Sequence, residues 1–293
     1  MTTPRPVWLV FLVALVLCRP VYADDQDVAT YSITPRASLM SDIRTRGVSD
    51  SLNGPGVKLG IEAAHESGLV AIAEINNVSR TEFTNGNGTA ITLAGGWRFG
   101  NPDKLHFGIG LATELFPGAN FDAPQAFDFT TFTPTNVTGT NYNTDYAVLE
   151  LGYDRLEGRV ISVISKTYRG ANTGGVCGAM LQFSSDPTKA LECYARGDHG
   201  SRGSLLLDLD YKYSIRSDTT LELHTGYQKV ANFPEADSFD YRIGLNHVRW
   251  GFEWSLAWVG VHVRAHELYV AQDGGSVKAT DKPTFVVSVS HRF

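Results

Sequence analysis

The chain has 293 residues and a formal net charge of −6, which argues against nucleic acid or a polyanionic surface as its main partner. Apolar residues make up 43% of it, yet no stretch after Ala23 holds the eighteen consecutive apolar residues of a transmembrane helix.

The first segment, Met1 to Ala23, reads as a secretory signal peptide. Arg5 supplies a positive start, Val7 to Cys18 an apolar run too short to span a bilayer, and Val21-Tyr22-Ala23 a small-residue cleavage box. A lipoprotein signal ending at Cys18 is the rival, disfavoured by Leu17 where a small residue belongs. Export is therefore expected, with the chain from Asp24 onward forming one domain. Losing Arg5 and Arg19 and no acid leaves that chain more acidic still. Two cysteines remain, Cys177 and Cys193. In an oxidising compartment they are expected to pair, and closing a loop of this length contributes about 3 kcal/mol in the chain-entropy model. A two-cysteine metal site lacks nearby partners.

Beyond Ala23 the repeating signal is strand-sized alternation. Twelve segments carry it: 37–48, 57–65, 69–78, 89–99, 105–115, 144–153, 159–168, 204–213, 219–229, 238–248, 251–261 and 283–293. In 204–213, Leu205, Leu207, Leu209, Tyr211 and Tyr213 face one way, while Asp208, Asp210 and Lys212 face the other. Most segments have the length of a tilted strand crossing a bilayer. Their number is even, as a closed bacterial barrel with both termini on one side requires. Connections after even strands are tight, as at Glu66-Ser67-Gly68, Gly100–Lys104, Asp154–Gly158, Ser214–Asp218 and Arg249-Trp250. Those after odd strands run longer, above all 116–143, 169–203 and 262–282. Short periplasmic turns alternating with long external loops is the outer-membrane pattern. Aromatics collect at the segment ends: Trp97, Phe99, Tyr153, Trp250 and Trp254 on the turn side, Phe116, Tyr227, Phe239, Trp258 and Phe285 on the loop side. Such residues form girdles at membrane interfaces.

The fold class predicted is therefore all-β: a transmembrane antiparallel up-and-down barrel of about twelve strands. The chain ends on alternating apolar residues because the last strand must pair with the first, since unpaired backbone in lipid is too costly. The terminal Phe293 also resembles the C-terminal signal read by the barrel assembly machinery.

The stretch Ala37 to Ser79 resembles the opening of the TorF-type porin family, bacterial outer-membrane β-barrels. Ser38, Ser41, Asp42, Arg44, Arg46, Gly47, Val48 and Ser49 fit the family's first strand, with Ile43 in an aromatic slot. Leu115–Ala119 and the closing SVSHRF are also similar. The resemblance implies an outer-membrane barrel with a porin role, and supplies no substrate and no catalytic residues. The cysteine-bearing loop departs from the family, so its role cannot be borrowed.

With Leu, Ile and Val toward lipid, charged residues of both signs line the interior, where they must pair or be hydrated. The pore-lining candidates are Asp42, Arg44, Arg46, Arg98, Glu114, Asp208, Asp210 and Arg242. Either they line a narrow aqueous pore or they pair across the barrel and block it. The function expected is passive diffusion of small hydrophilic solutes across the bacterial outer membrane, with lipid around the barrel and no catalysis, cofactor or metal. A second reading is a non-conducting surface or adhesin barrel working through loops such as 116–143, which could enter the barrel or stand outside it. A third, a lipid hydrolase, would draw on Asp198–Ser201 in a long loop and on Asn246-His247 at a turn end, but neither matches the phospholipase spacing. His262 and His266 read as loop histidines, and Asn85–Gly88 as a hairpin tip without phosphate-loop context.

Overall fold

The structure is a computed structural model describing residues 30–101 and 103–293; the expected signal segment, residues 1–23, lies outside the described residues. Strands β1 Tyr31–Met40, β2 Gly56–His65, β3 Leu69–Asn77, β4 Thr89–Gly100, β5 Leu105–Leu115 and β6 Thr144–Tyr153 form half of a sheet. Strands β7 Leu156–Val163, β8 Leu205–Arg216, β9 Thr219–Lys229, β10 Ser238–Arg249, β11 Phe252–Val263 and β12 Thr284–Arg292 complete it. Each pairs antiparallel with its sequence neighbour, and the sheet closes into a barrel. Closure sets β12 against β1, with Arg36 opposite Arg292 and Met40 opposite Ser288. The Phe293 amide then donates to Pro35 O at 3.0 Å, so the pairing runs to the last residue, as an edge-free sheet demands.

Side-chain alternation dictates which face looks where. Leu39, Leu59, Ile109, Leu149, Ile243 and Leu256 all point outward and are at least half exposed. A contiguous apolar surface of this extent belongs against lipid. The opposite face turns inward and carries the charges. Trp97, Phe99, Tyr153, Trp250 and Trp254 stand exposed at one end of this belt, as a girdle should. Phe116 does not join the other girdle. It is buried and stacks on Phe83 with ring centroids 4.4 Å apart, inside a small loop core that Tyr142 flanks.

Nine of the twelve strands begin and end within two residues of the segments expected, and β8 extends three further. Two strands are displaced. The first runs over 31–40 and not 37–48, because Asp42 accepts hydrogen bonds from the Ser49 and Ser51 hydroxyls and folds the chain back on itself. The seventh runs over 156–163 and not 159–168. Its preceding turn is only Asp154-Arg155, with Asp154 at φ 54°, and the chain leaves the wall where Ser165 Oγ donates to Thr167 O.

Tight turns do alternate with long connections. The 116–143 connection is a β-hairpin of Asn120–Asp128 on Thr133–Asn141, the second strand exposed over most of its length. The 164–204 connection holds two helices absent from the periodicity reading, α1 Thr173–Phe183 and α2 Thr188–Ala195. The Asn172 side chain caps α1 by accepting from Gly175 N at 2.8 Å. Cys177 and Cys193 join the helices in the expected disulfide, with Cα atoms 5.5 Å apart. Met180, Ala190 and Tyr194 bury around it and against Val163 and Leu206, so this loop carries its own core on the barrel rim.

Candidate functional site

The segment 41–55 between β1 and β2 does not stay at the rim. Arg44–Thr45 and Val48–Ser49 form a minimal hairpin around an Arg46-Gly47 turn. Both turn residues have positive φ, 49° and 77°, the requirement of the tightest hairpin turn. Gly47 meets it without cost, and a Cβ there would lie 2.6 Å from Gly260 O on β11. Arg46 meets it with strain of order 1 kcal/mol or more, which persists only where surrounding contacts outweigh it. Those contacts are on the opposite wall. Its Nη1 donates to Asp208 Oδ1 at 2.8 Å on β8, and Nη2 donates to Leu207 O at 3.1 Å and Tyr227 O at 3.2 Å. Asp240 Oδ2 on β10 lies 3.6 Å away. Gly226 on β9 makes the seat: a Cβ there would lie 2.4 Å from Asp240 Oδ2 and 2.8 Å from Arg46 Nη2. One guanidinium thus ties a loop from β1 to strands β8, β9 and β10.

The loop is also cross-linked to itself. Arg44 Nε donates to Asp42 Oδ2 at 2.6 Å and its Nη1 to Gly47 O at 2.6 Å. Thr45 Oγ1 donates to Asp50 Oδ2 at 2.5 Å. A second anchor begins at Asp50, which takes a two-pronged contact from Arg169, Nη1 at 3.0 Å and Nη2 at 2.8 Å. Arg169 Nε lies 3.2 Å from Glu114 Oε2, and the guanidinium sits over the Phe83 and Phe116 rings. Burial alone would lower the Arg169 pKa, but Asp50 and Glu114 hold it well above its ordinary value. Glu82 lies beside this group with Oε2 buried and without a hydrogen-bond partner. Burial, and then repulsion from Asp50, pushes its pKa well up against the pull of Arg169. Burial also pushes the Tyr168 phenol up to about 12.

The hairpin divides the interior. Toward the long loops is a cavity of about 710 Å3, which Thr45, Arg46 and Val48 floor beneath Phe121, Tyr142 and Arg169. Toward the tight turns is one of about 610 Å3, which Asp42 and Arg44 roof above Lys58, Arg242 and Glu253. Among the described residues, none lines both.

Of the candidates read from the sequence, Asp42, Arg44 and Arg46 sit on this hairpin and not on the wall. Asp208 faces it as its partner, and Glu114 holds its second anchor. The other three lie on the wall nearer the tight turns, each in an ion pair. Arg98 meets Glu150 at 2.8 Å, Arg242 meets Glu222 at 2.9 Å, and Asp210 meets Arg159 at 2.7 Å and His224 at 2.8 Å. Asp50, Glu82 and Arg169 were missed. They lie in connections without periodicity, and only the Gly-bearing Arg46-Gly47 turn signal could have pointed to the fold-back. The hydrolase residues are not brought together. Ser201 is buried in the 164–204 connection donating to Ala171 O, while His247 meets Thr219 at the tight-turn end of the barrel.

A family model described as "Bacterial protein of unknown function (Gcw_chp)" matches residues 24–293. A search of curated proteins gave no match. Among solved structures, the NanC porin aligns with a TM-score of 0.47 at 10% identity, covering 88% of this chain and 98% of that one. The KdgM porin aligns with a TM-score of 0.43 at 9% identity, covering 89% and 98%. An outer membrane channel from Pseudomonas putida F1 aligns with a TM-score of 0.40 at 10% identity, covering 92% and 100%. All three scores lie below 0.5, and no residue role is carried across from them.

Proposed function

We propose that this chain, which belongs to the Gcw_chp family, is an outer-membrane channel for passive diffusion of small hydrophilic solutes, narrowed by its own 41–55 hairpin. The observation that carries this reading is the pairing of an apolar outer belt with a charged interior holding two cavities, separated by one tethered loop. Charges on the inner face of strands that meet lipid must be paired or hydrated, and cavities of this size hold water. The reading places the tight turns in the periplasm and the long loops outside, with outer-membrane lipid around the belt. It includes export through the signal peptide at residues 1–23 and assembly through the C-terminal Phe293. The TorF-type porin resemblance of residues 37–79 points the same way.

Solutes are filtered at the hairpin. Asp42, Arg44, Arg46, Asp208 and Asp240 set charges of both signs around the narrowing, and any permeant must exchange hydration for contacts with them. Beyond it, Arg98, Asp210 and Arg242 line the periplasmic half in paired form. No step requires catalysis.

A second reading, a non-conducting surface barrel, draws on the Arg46 tether, since a hairpin held at both ends can close the path. Single-channel conductance of the refolded protein in a planar bilayer separates the two. Discrete steps support the channel. A folded barrel that stays silent, both as wild type and with the tether cut, supports the surface barrel.

A further inference from the structure

Near the tight-turn end, three inward-facing residues form one row across neighbouring strands. His106 on β5 pairs with Gly152 on β6, which pairs with Glu157 on β7. The middle position is a glycine, and this matters sterically. A Cβ at Gly152 would lie 2.1 Å from His106 Cε1 and Nε2, so the imidazole ring occupies the space a side chain would fill. Glu150, two residues along β6 on the same face, completes a triangle. One ligand atom from each of His106, Glu150 and Glu157 lies within 4.8 Å of the other two. The His106 Nδ1 atom is buried and has no hydrogen-bond partner, which is uncommon for a buried polar atom and calls for a ligand or a structural reason.

Charge points the same way. Arg98 Nε is 2.8 Å from Glu150 Oε1 and Arg98 Nη1 is 3.8 Å from Glu62. Arg159 is shared between Glu157, at 3.1 Å, and Asp210, at 2.7 Å. Four carboxylates therefore surround two guanidiniums, and even with His224 on Asp210 at 2.8 Å the carboxylates outnumber the cations. An imidazole nitrogen with two carboxylate oxygens is a donor set for a divalent transition metal, not for calcium or magnesium, which prefer oxygen alone. Ligand atoms around tetrahedral zinc stand about 3.3 Å apart, within the 4.8 Å that contains all three ligand atoms here. Three protein ligands leave one position open to water.

We propose that His106, Glu150 and Glu157 form a binding site for a divalent transition-metal ion of the zinc type on the inner wall near the tight-turn end. The bound ion neutralises the surplus carboxylates and fixes a cation at that mouth of the barrel.

The test is direct binding, independent of any conductance. Untagged protein, refolded in detergent and stripped with chelator, is titrated with Zn2+ alone by calorimetry and with Co2+ by visible absorption. One ion per chain at a Kd of about 10 µM or tighter is expected, with cobalt bands of a nitrogen–oxygen site. His106→Ala and Glu157→Gln should each weaken binding by about tenfold or more, while His266→Ala, in the 264–283 connection, leaves it unchanged. Heat-modifiable gel mobility reports folding of each variant. Glu157→Gln keeps the shape of the side chain and serves if His106→Ala does not fold. Absence of saturable one-to-one binding to the wild type overturns the proposal. So does binding that survives both substitutions.

Discussion

Replacing Arg46 by alanine is the sharpest perturbation of the channel reading. Arg46 and Asp208 are each only 10% exposed at their side chains, and Asp240 3%. The surface-pair figure of 0–1 kcal/mol therefore does not apply. Removing one member of a buried pair costs about 3–5 kcal/mol, because the partner charge is left unpaired. Here Asp208 loses its partner across the Gly226 seat, while Asp240 keeps its contact with His224 Nε2 at 2.9 Å. Even the low end, about 3 kcal/mol, shifts a docked-to-undocked ratio by more than about a hundredfold. Part of the cost falls on the whole barrel, yet the Asp50–Arg169 anchor keeps the hairpin attached by its far side. The expected result in planar bilayers is a change in state occupancy. Wild type spends most of its time in a low-conductance state with rare larger openings, and Arg46→Ala spends most of its time in the larger one. Arg46→Lys restores one charge but not the forked contacts, and falls between. If Arg46→Ala folds and its amplitude histogram matches wild type, the hairpin is not the narrowing, and the argument from the two separated cavities fails with it.

Three further outcomes follow from other parts of the molecule. Serine at both Cys177 and Cys193 removes about 3 kcal/mol of loop-closure stabilisation; limited proteolysis should then cut within 169–203 while the barrel itself stays intact. Glu82→Gln should raise the melting temperature at pH 8 and leave it unchanged near pH 4. The folded state holds the Glu82 proton more tightly than the unfolded chain does, so this stabilisation is complete below the ordinary carboxyl pKa of about 4.3 and is lost as pH rises through the raised value. Arg98→Ala leaves Glu62 and Glu150 unopposed, so reversal potentials should move toward cation preference, by about fivefold or less in permeability ratio because the Arg98 side chain is 45% exposed.

The barrel was legible because lipid enforces a period of two. Wherever one face meets hydrocarbon, as in Leu205-Leu207-Leu209, alternation survives and the strand can be read off it. Inside the barrel no such rule operates. The stretch Ser41 to Ser49 alternates charged with uncharged residues, yet both sets end up within protein, with Ile43 buried near the rim and Arg46 across the lumen. The same holds for Lys166 to Tyr168, at the end of the expected segment 159–168, where the Tyr168 hydroxyl is committed to Gln228 Oε1 at 2.8 Å. Periodicity reports which face is apolar; it says nothing about a segment surrounded by protein on all sides.

The candidate residues show a related limit. Each of the eight is held in an ion pair and none acts as a free charge. Asp42 is taken by Arg44, Asp208 by Arg46, Glu114 by Arg169, Asp210 by Arg159 and His224, Arg98 by Glu150, and Arg242 by Glu222. Partners lie up to 162 residues apart, beyond anything local pattern can pair. The consequence for selectivity is physical. Paired charges a few ångströms apart cancel at a distance and retain a strong field only close by. On the channel reading, a solute meets strong, oriented contacts from paired charges of both signs at the hairpin. Discrimination by size and hydrogen-bond pattern is therefore expected to exceed discrimination by ionic charge.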